Sequence, residues 1–330
     1  MSDTTFQALM ARQSDQGPAI ALERITMADL PEADVTIDVA YSSFNYKDGL
    51  ALTGRNRILR TFPMVPGIDF SGVVSASQSP RFRVGDRVAL TGWGVGEGWS
   101  GGFAERARVK SEWLVKLPET ISNRHAMAIG TAGLTAMLCI MALQEHGIRD
   151  GGDVLVTGAA GGVGSVAVRL LSRLGYRVSA LTGRRSEEAF LRSLGASDIL
   201  DRRDLSSPGK PLQNERWAGA VDVAAGAVLG NVIASMAYGG AVAMCGLAGG
   251  TEVSAAVFPF ILRNVALLGV DSVMCPLERR EAAWQSLAAE LSEADLEPVV
   301  QEVGLKQLPV LAQEILGGRV RGRTVVDVRR

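Results

Sequence analysis

Histidine and cysteine are scarce in this chain: two and three residues in 330. Cys139, Cys245 and Cys275 are far apart in sequence and none sits in a Cys-x-x-Cys pair, so neither a disulfide framework nor a thiolate zinc site is expected. An excess of one charge is also missing. Lys and Arg number 34 against 35 Asp and Glu, a formal net charge of −1, which gives no general attraction to nucleic acid or anionic membrane; a local basic site stays open. The N-terminal MSDTTFQALM is too polar and too poor in cations for a signal peptide. No run of about 18 apolar residues stands out as a membrane span. The expected location is therefore the cytoplasm, with no nucleic-acid or membrane partner. What is present is 47% hydrophobic and 21% charged residues, the balance of a folded globular chain, and a length that exceeds one ordinary core and fits two domains.

The first part of the chain reads as β-rich. DVTIDVAYS alternates with period two, and GIDFSGVVSA, GDRVALTG and FAERARVKSEWLVKLP follow between Gly and Pro breaks, which implies a barrel-like or sandwich domain. The middle changes character. DVLVTGAAGGVGSVAVRLLSRLGYRVSALTG (153–183) reads strand, Gly turn, helix, strand. SEEAFLRSLGA then reads as a helix, SDIL and AGAVDVAAG as strands, VLGNVIASMAYG as a helix and GAVAMCGLAGG as a strand. This alternation implies an α/β fold with a doubly wound parallel sheet. NVALLGVDSV adds a strand and PLERREAAWQSLAAEL a helix; the last 30 residues return to strand-like runs such as GRTVVDVR.

VTGAAGGVGSVAV is the strongest local signal. Gly158, Gly161, Gly162 and Gly164 lie where an apolar strand turns into an apolar helix. Glycines there permit a tight turn and let backbone approach a pyrophosphate, while the helix N-terminus offers free N–H groups to the anion. Ala160, Gly161, Gly162 and Val163 are the candidate contacts. At the end of the next strand an NAD site usually places Asp or Glu against the ribose. Here Thr182 and Gly183 are followed by Arg184 and Arg185. A guanidinium pairs with a 2′-phosphate that a carboxylate would repel, so the expected cofactor is NADPH. Arg202 is a further candidate for the same adenosine end.

In this order, these pieces resemble the medium-chain dehydrogenase/reductase superfamily. That resemblance implies a GroES-like domain over 1–124, a Rossmann NADPH-binding domain over 125–270 and a segment 271–330 that returns to the first domain. Zinc alcohol dehydrogenases of the superfamily carry Gly-His-Glu; the matching stretch here is Gly67-Ile68-Asp69, and the four cysteines of the structural zinc lobe are missing. The implied enzyme is a zinc-free reductase, with Asp69 a structural acid. SSFNYKDGLALTG, FPMVPGIDFSG, TGWGVGEG, IGTAGLTAMLCIMAL, CGLAGG and PFILRNVALLGVDSV look like the bacterial acrylyl-CoA reductase family, formerly grouped with quinone oxidoreductases. The resemblance implies NADPH-dependent reduction of acrylyl-CoA, an acyl-CoA substrate, to propionyl-CoA. CGLAGG ends a strand of the parallel sheet, where ligands bind, so Leu247 is a candidate contact of the nicotinamide. The resemblance also implies cofactor contacts at Ile261 and Ser272, and a homodimer formed through the edge of the Rossmann sheet, where VALLGVDSV would need cover.

Hydride addition to an α,β-unsaturated thioester leaves negative charge on its oxygen and requires a proton at Cα, so a metal-free site needs hydrogen-bond donors. Asn45, Tyr46 and Lys47 in SSFNYKDGL supply an amide, a phenol and an ammonium in three positions. Tyr46 is the expected donor; the matching tyrosine of the family is associated with the cofactor. Asn45 and Lys47 would orient it or add donors. Asp48 would pair with Lys47 or cap a following turn. Arg323 would meet a phosphate or form a surface salt bridge. Trp93 and Trp99 would line a substrate mouth or pack. Cys245 reads as a small buried hydrophobe, and His125 and His146 as helix-flanking residues. Two rivals remain: a quinone or enone reductase on the same scaffold, and a non-enzymatic NADPH-binding protein.

Overall fold

The computed structural model describes residues 5–330, which form two compact units. The first contains the chain up to Thr131 together with Ser272–Ala288 and Val300–Arg330; the second contains Ala132–Asp271 and Ala289–Val299.

The first unit opens with an antiparallel hairpin, β1 (Phe6–Ser14) and β2 (Gly17–Ile25). Then come β3 (Val35–Phe44), α1 (Tyr46–Leu52), β4 (Asp69–Ser77), β5 (Arg87–Thr91), β6 (Arg106–Val109) and β7 (Val115–Lys116). Val35, Ile37 and Val39 are fully buried while Thr36 and Asp38 are not, so the period-two pattern of β3 marks its core face.

Helix α2 (Asn123–His146) carries the chain from the first unit into the second. Its helical path breaks at Gly130 (φ 51, ψ −159). An 18-residue window of this helix has mean hydropathy 2.0, so by length and composition alone it is long and apolar enough to cross a membrane, contrary to the sequence expectation. Gly, Ala and Thr interrupt its larger apolar residues without adding charge, which hides the run from inspection. Of that window, 83% is buried inside the protein, as in a core helix.

The second unit follows β8 (Asp153–Val156), α3 (Gly162–Arg173), β9 (Arg177–Thr182), α4 (Glu188–Ser193), β10 (Asp198–Asp201), β11 (Trp217–Asp222), α5 (Gly226–Ala234), β12 (Met236–Met244), α6 (Phe258–Arg263) and β13 (Ala266–Gly269). All six strands are parallel, in the order β10-β9-β8-β11-β12-β13. Numbered from β8, that is 3-2-1-4-5-6, the dinucleotide-binding order, whose ligand crevice opens where the order reverses beside the first strand. The helix expected over VLGNVIASMAYG stops at Ala234. Met236 already pairs with Trp217 in the sheet, and both are buried in the core, so strand pairing overrides the helical pattern.

After α7 (Leu277–Glu290) and α8 (Glu293–Leu296), the chain adds β14 (Val300–Gly304), α9 (Leu308–Leu316) and β15 (Arg323–Asp327). These two strands extend the first unit's sheet into the order β14-β15-β3-β4-β5-β7, with β6 also on β3. The strand-like reading of the last 30 residues missed α9, whose Leu308 and Ala312 join the core. Opposite α9, a Cβ on Gly49 of α1 would lie 2.5 Å from Ile315 Cγ2, so the two helices touch at a glycine.

Candidate active site

β3 runs directly into α1. Asn45 caps the helix in extended backbone and Tyr46 is its first residue. Tyr46 is 42% exposed, and its hydroxyl has no hydrogen-bond partner among the described residues. Asp48, three residues past the cap, turns inward instead of pairing with Lys47. Its Oδ2 accepts from Asn45 N at 2.8 Å and its Oδ1 from Ile68 N at 3.0 Å, so of the two expected roles the cap is the one realised. Lys47 Nζ pairs with Glu97 Oε1 at 2.8 Å, and Arg60 Nη2 meets the other oxygen of Glu97 at 3.3 Å.

Behind α1 lies a buried polar cluster. Asp69 is fully buried. Its oxygens accept from Ser43 N (3.0 Å) and Oγ (2.7 Å), Asn45 Nδ2 (3.1 Å), Thr131 N (2.8 Å) and Thr131 Oγ1 (2.7 Å). Asp69 is thus the structural acid expected, with its acceptor capacity spent on the chain itself. The guanidinium of Arg323 is 2% exposed. It donates to Ala128 O (3.0 Å), Met127 O (3.3 Å), Asn45 Oδ1 (3.1 Å) and Ser43 Oγ (2.7 Å). Both expected roles for Arg323 fail here, because pairing of Thr324 with Phe44 draws it inward beside the end of β3, away from solvent phosphate or surface acid. Burial lowers its pKa. The Asp48 carboxyl is pushed up to about 8, first by burial and then by the charge of Asp69.

In the second unit, the loop between β8 and α3 is shaped by close backbone approach. A Cβ on Gly164 would lie 2.7 Å from Ala159 Cα, and one on Gly158 (φ +56) would lie 2.5 Å from Val223 Cγ2. Gly161 caps α3 in extended backbone, leaving the N–H groups of its first turn to a ligand. Thr182 ends β9, and its Oγ1 accepts from Arg184 N at 3.1 Å. Arg184 Nη2 reaches back to Ala160 O at 3.4 Å, joining the strand-end arginine to the glycine loop. Arg202 lies over Gly183, where a Cβ would be 3.0 Å from its Cζ. So Ala160, Thr182, Gly183, Arg184 and Arg202 come together. A backbone cradle beside two guanidiniums, with Thr182 in place of an acid at the strand end, fits a dinucleotide carrying a 2′-phosphate.

The remaining candidates belong to both units. Leu247, past β12, is 53% exposed, and Ile261 on α6 is 70% exposed. In the first unit, the carbonyl of Ser272 accepts from buried Arg280 at 3.1 Å. Arg280 also holds Thr91 O at 2.8 Å and sits 5.1 Å from the Trp93 ring. Trp99 packs edge-on against Trp113 at 5.2 Å and donates Nε1 to Arg108 O at 2.9 Å, a packing role. His125 and His146 lie within α2. Cys139 and Cys245 are distant in sequence, yet their thiols meet. A hydrogen bond with Cys245, together with burial, holds the Cys139 thiol well above its ordinary pKa. Cys245 is half-buried and its N–H donates to Asp222 O at 2.9 Å. Glu97, Thr131 and Arg280 went unread in the sequence. The signal for Glu97 was available: it is the sole charged residue between Gly92 and Ala104.

Residues 31–119 match the family described as Alcohol dehydrogenase GroES-like domain, and residues 162–292 the family described as Zinc-binding dehydrogenase. The chain is 52% identical to the probable acrylyl-CoA reductase AcuI of Escherichia coli K12, over 98% of this chain and all of that one. The chain belongs to the medium-chain dehydrogenase/reductase superfamily. Within that superfamily, it superposes with a TM-score of 0.95 on the yhdH oxidoreductase from Salmonella enterica, solved in complex with NADP, at 53% identity over 97% of this chain and 99% of that one. The Bacillus subtilis protein yhfP, named a putative quinone oxidoreductase, is 44% identical over 98% of this chain and 99% of its own. Its structure, solved with NAD bound, gives a TM-score of 0.94 and covers 98% of this chain and 99% of that one. Among the described residues, no group of three or more His, Cys, Asp or Glu side chains is arranged to hold a metal ion.

Proposed function

We propose that this chain reduces acrylyl-CoA to propionyl-CoA with NADPH, without a metal, as a cytoplasmic homodimer. The observation that carries the reading is end-to-end likeness to an acrylyl-CoA reductase in a chain that keeps an unspent phenol at Tyr46. The functional division is the one expected above: residues 1–124 with 271–330 for the substrate, and 125–270 for the cofactor.

When bound, NADPH supplies a hydride to the β-carbon of the enoyl thioester. Backbone N–H groups of Ala160–Val163 take its pyrophosphate, Thr182 and Gly183 flank its ribose, and Arg184 with Arg202 takes its 2′-phosphate. Leu247, Ile261 and Ser272 remain candidate contacts. Tyr46 donates a hydrogen bond to the thioester oxygen as enolate charge builds there, and is the candidate source of the Cα proton. Asn45 holds the start of α1 in place through Asp48 and Asp69. Lys47, held by Glu97, adds positive potential and no free acid. The metal-free reading is supported by Ile68 in the place of a ligating histidine and by the saturated Asp69. Free cysteines suit a reducing compartment.

The test is NADPH oxidation with acrylyl-CoA beside free acrylate, a longer enoyl-CoA and a simple quinone, repeated with NADH and in a chelator-treated sample. Turnover should favour acrylyl-CoA and NADPH and survive chelation. Tyr46→Phe should lower kcat about 100-fold with the fold intact. The yhfP likeness supports one other reading. Turnover of quinone, with none of acrylyl-CoA, would establish a quinone reductase instead.

A further inference from the structure

The turn after α1 is the most one-sidedly charged stretch near Tyr46. Residues 53–63, TGRNRILRTFP, hold Arg55, Arg57 and Arg60 and no Asp or Glu, in a chain of net charge −1. All three arginines are exposed. Arg55 and Arg57 make no ion pair and no side-chain hydrogen bond among the described residues. The acid that Arg60 meets, Glu97, is shared with Lys47. Two cations thus share one carboxylate, and Arg55 and Arg57 have none.

Folding does not account for these arginines. The turn is held by its apolar residues: Leu59 is 8% exposed in a small core with Ala11, Ala51 and Met64, and Ile58 and Phe62 pack against it. A backbone bond from Arg60 N to Glu97 O at 2.7 Å adds to this. The backbone between the arginines is strained, with Asn56 at φ 59 and Arg57 at φ 47. Asn tolerates the left-handed region; Arg has no such excuse, and glycine would relieve it. Strain kept at a solvent-exposed, unpaired cation is the pattern of a ligand clamp.

The turn follows the end of α1, and Tyr46 opens that helix, a separation of about 10 Å along its axis. The Lys47–Glu97–Arg60 chain of ion pairs joins the two ends. A ligand with a reactive acyl group at one end, phosphates at the other and a flexible arm between them matches that layout. Guanidinium groups recognise phosphate by paired N–H donors.

We propose that Arg55, Arg57 and Arg60 bind the diphosphate and 3′-phosphate of a coenzyme A thioester whose acyl end lies at Tyr46. The proposal rests on the thioester reading above, and the experiment separates the two. KM and kcat are measured at saturating NADPH for acrylyl-CoA, its 3′-dephospho analogue and the acrylyl thioester of N-acetylcysteamine, which lacks phosphates. R55A/R57A should raise KM for acrylyl-CoA about tenfold more than KM for the N-acetylcysteamine thioester, with the dephospho compound between them. It should also flatten the rise of KM with salt. Arg57→Gly guards against a folding artefact. It relieves the positive φ, so it should raise the thermal midpoint while weakening acrylyl-CoA, a split that a purely structural arginine would not give. Equal KM changes for the phosphate-bearing and phosphate-free thioesters would overturn this site and leave the thioester reading intact. A wild-type enzyme that reduces neither thioester would overturn both.

Discussion

Asp48 and Asp69 are two buried carboxyls acting on one buried guanidinium, Arg323. With all three charged, a dry cluster would carry a surplus negative charge. Asp69 is surrounded by donors from Ser43, Asn45 and Thr131. Asp48 is the one that gives way, its carboxyl pushed up to about 8 by burial and by its neighbour. In an unfolded chain it would titrate near about 3.9. Folding therefore takes up a proton. The stability this gives is full below about pH 4 and is lost as pH rises toward about 8. Asp48→Asn mimics the neutral form and should flatten that slope, while losing one acceptor for about 1–2 kcal/mol. Denaturant midpoints of both proteins from about pH 5 to about pH 9 give the comparison. Parallel curves would mean that Asp48 is ionised in the fold across the range.

At the level of elements, α2 shows why one part of the site was legible in sequence and another was not. The glycine loop, the strand-end arginines and Tyr46 are contiguous motifs, so their residues can be picked out in a line. The Asp69 cluster draws on β3, β4, α2 and β15, with Ser43 and Arg323 separated by 280 positions. Only the register of the sheet brings them together, and Arg323 was misassigned for that reason. Gly130 is the hinge of that assembly. Its positive φ interrupts the helix and frees the N–H of Thr131 for Asp69. A Cβ there would fall on Arg323 Nη2 and lie 2.8 Å from Ser43 Oγ. Gly130→Ala should cost about 2–4 kcal/mol, combining a strained φ with a blocked buried network. An unfolding midpoint at or above that of the wild type would show that a regular helix serves equally well at this point.

The proposed dimer is a question for the whole molecule, and the two edges of the second unit's sheet give it a direction. The β10 edge is blunted by charge: Asp198 pairs with Arg177 at 3.2 Å and Asp201 with Arg203 at 2.7 Å. The β13 edge, Ala266–Gly269, carries no charge. In the same unit, Val257, Phe258, Ile261 and Leu262 are 63%, 46%, 70% and 59% exposed. An open apolar edge in a unit with exposed apolar residues is a template for pairing with another strand, and a second copy of β13 would satisfy it symmetrically. Sedimentation should find the wild-type chain as a dimer. Adding charge with Ile261→Asp and Leu262→Asp should give a monomer whose circular dichroism is unchanged, because both side chains already face away from the core. A wild-type monomer would remove the homodimer from the proposal. A dimer indifferent to both substitutions would move its interface away from this edge.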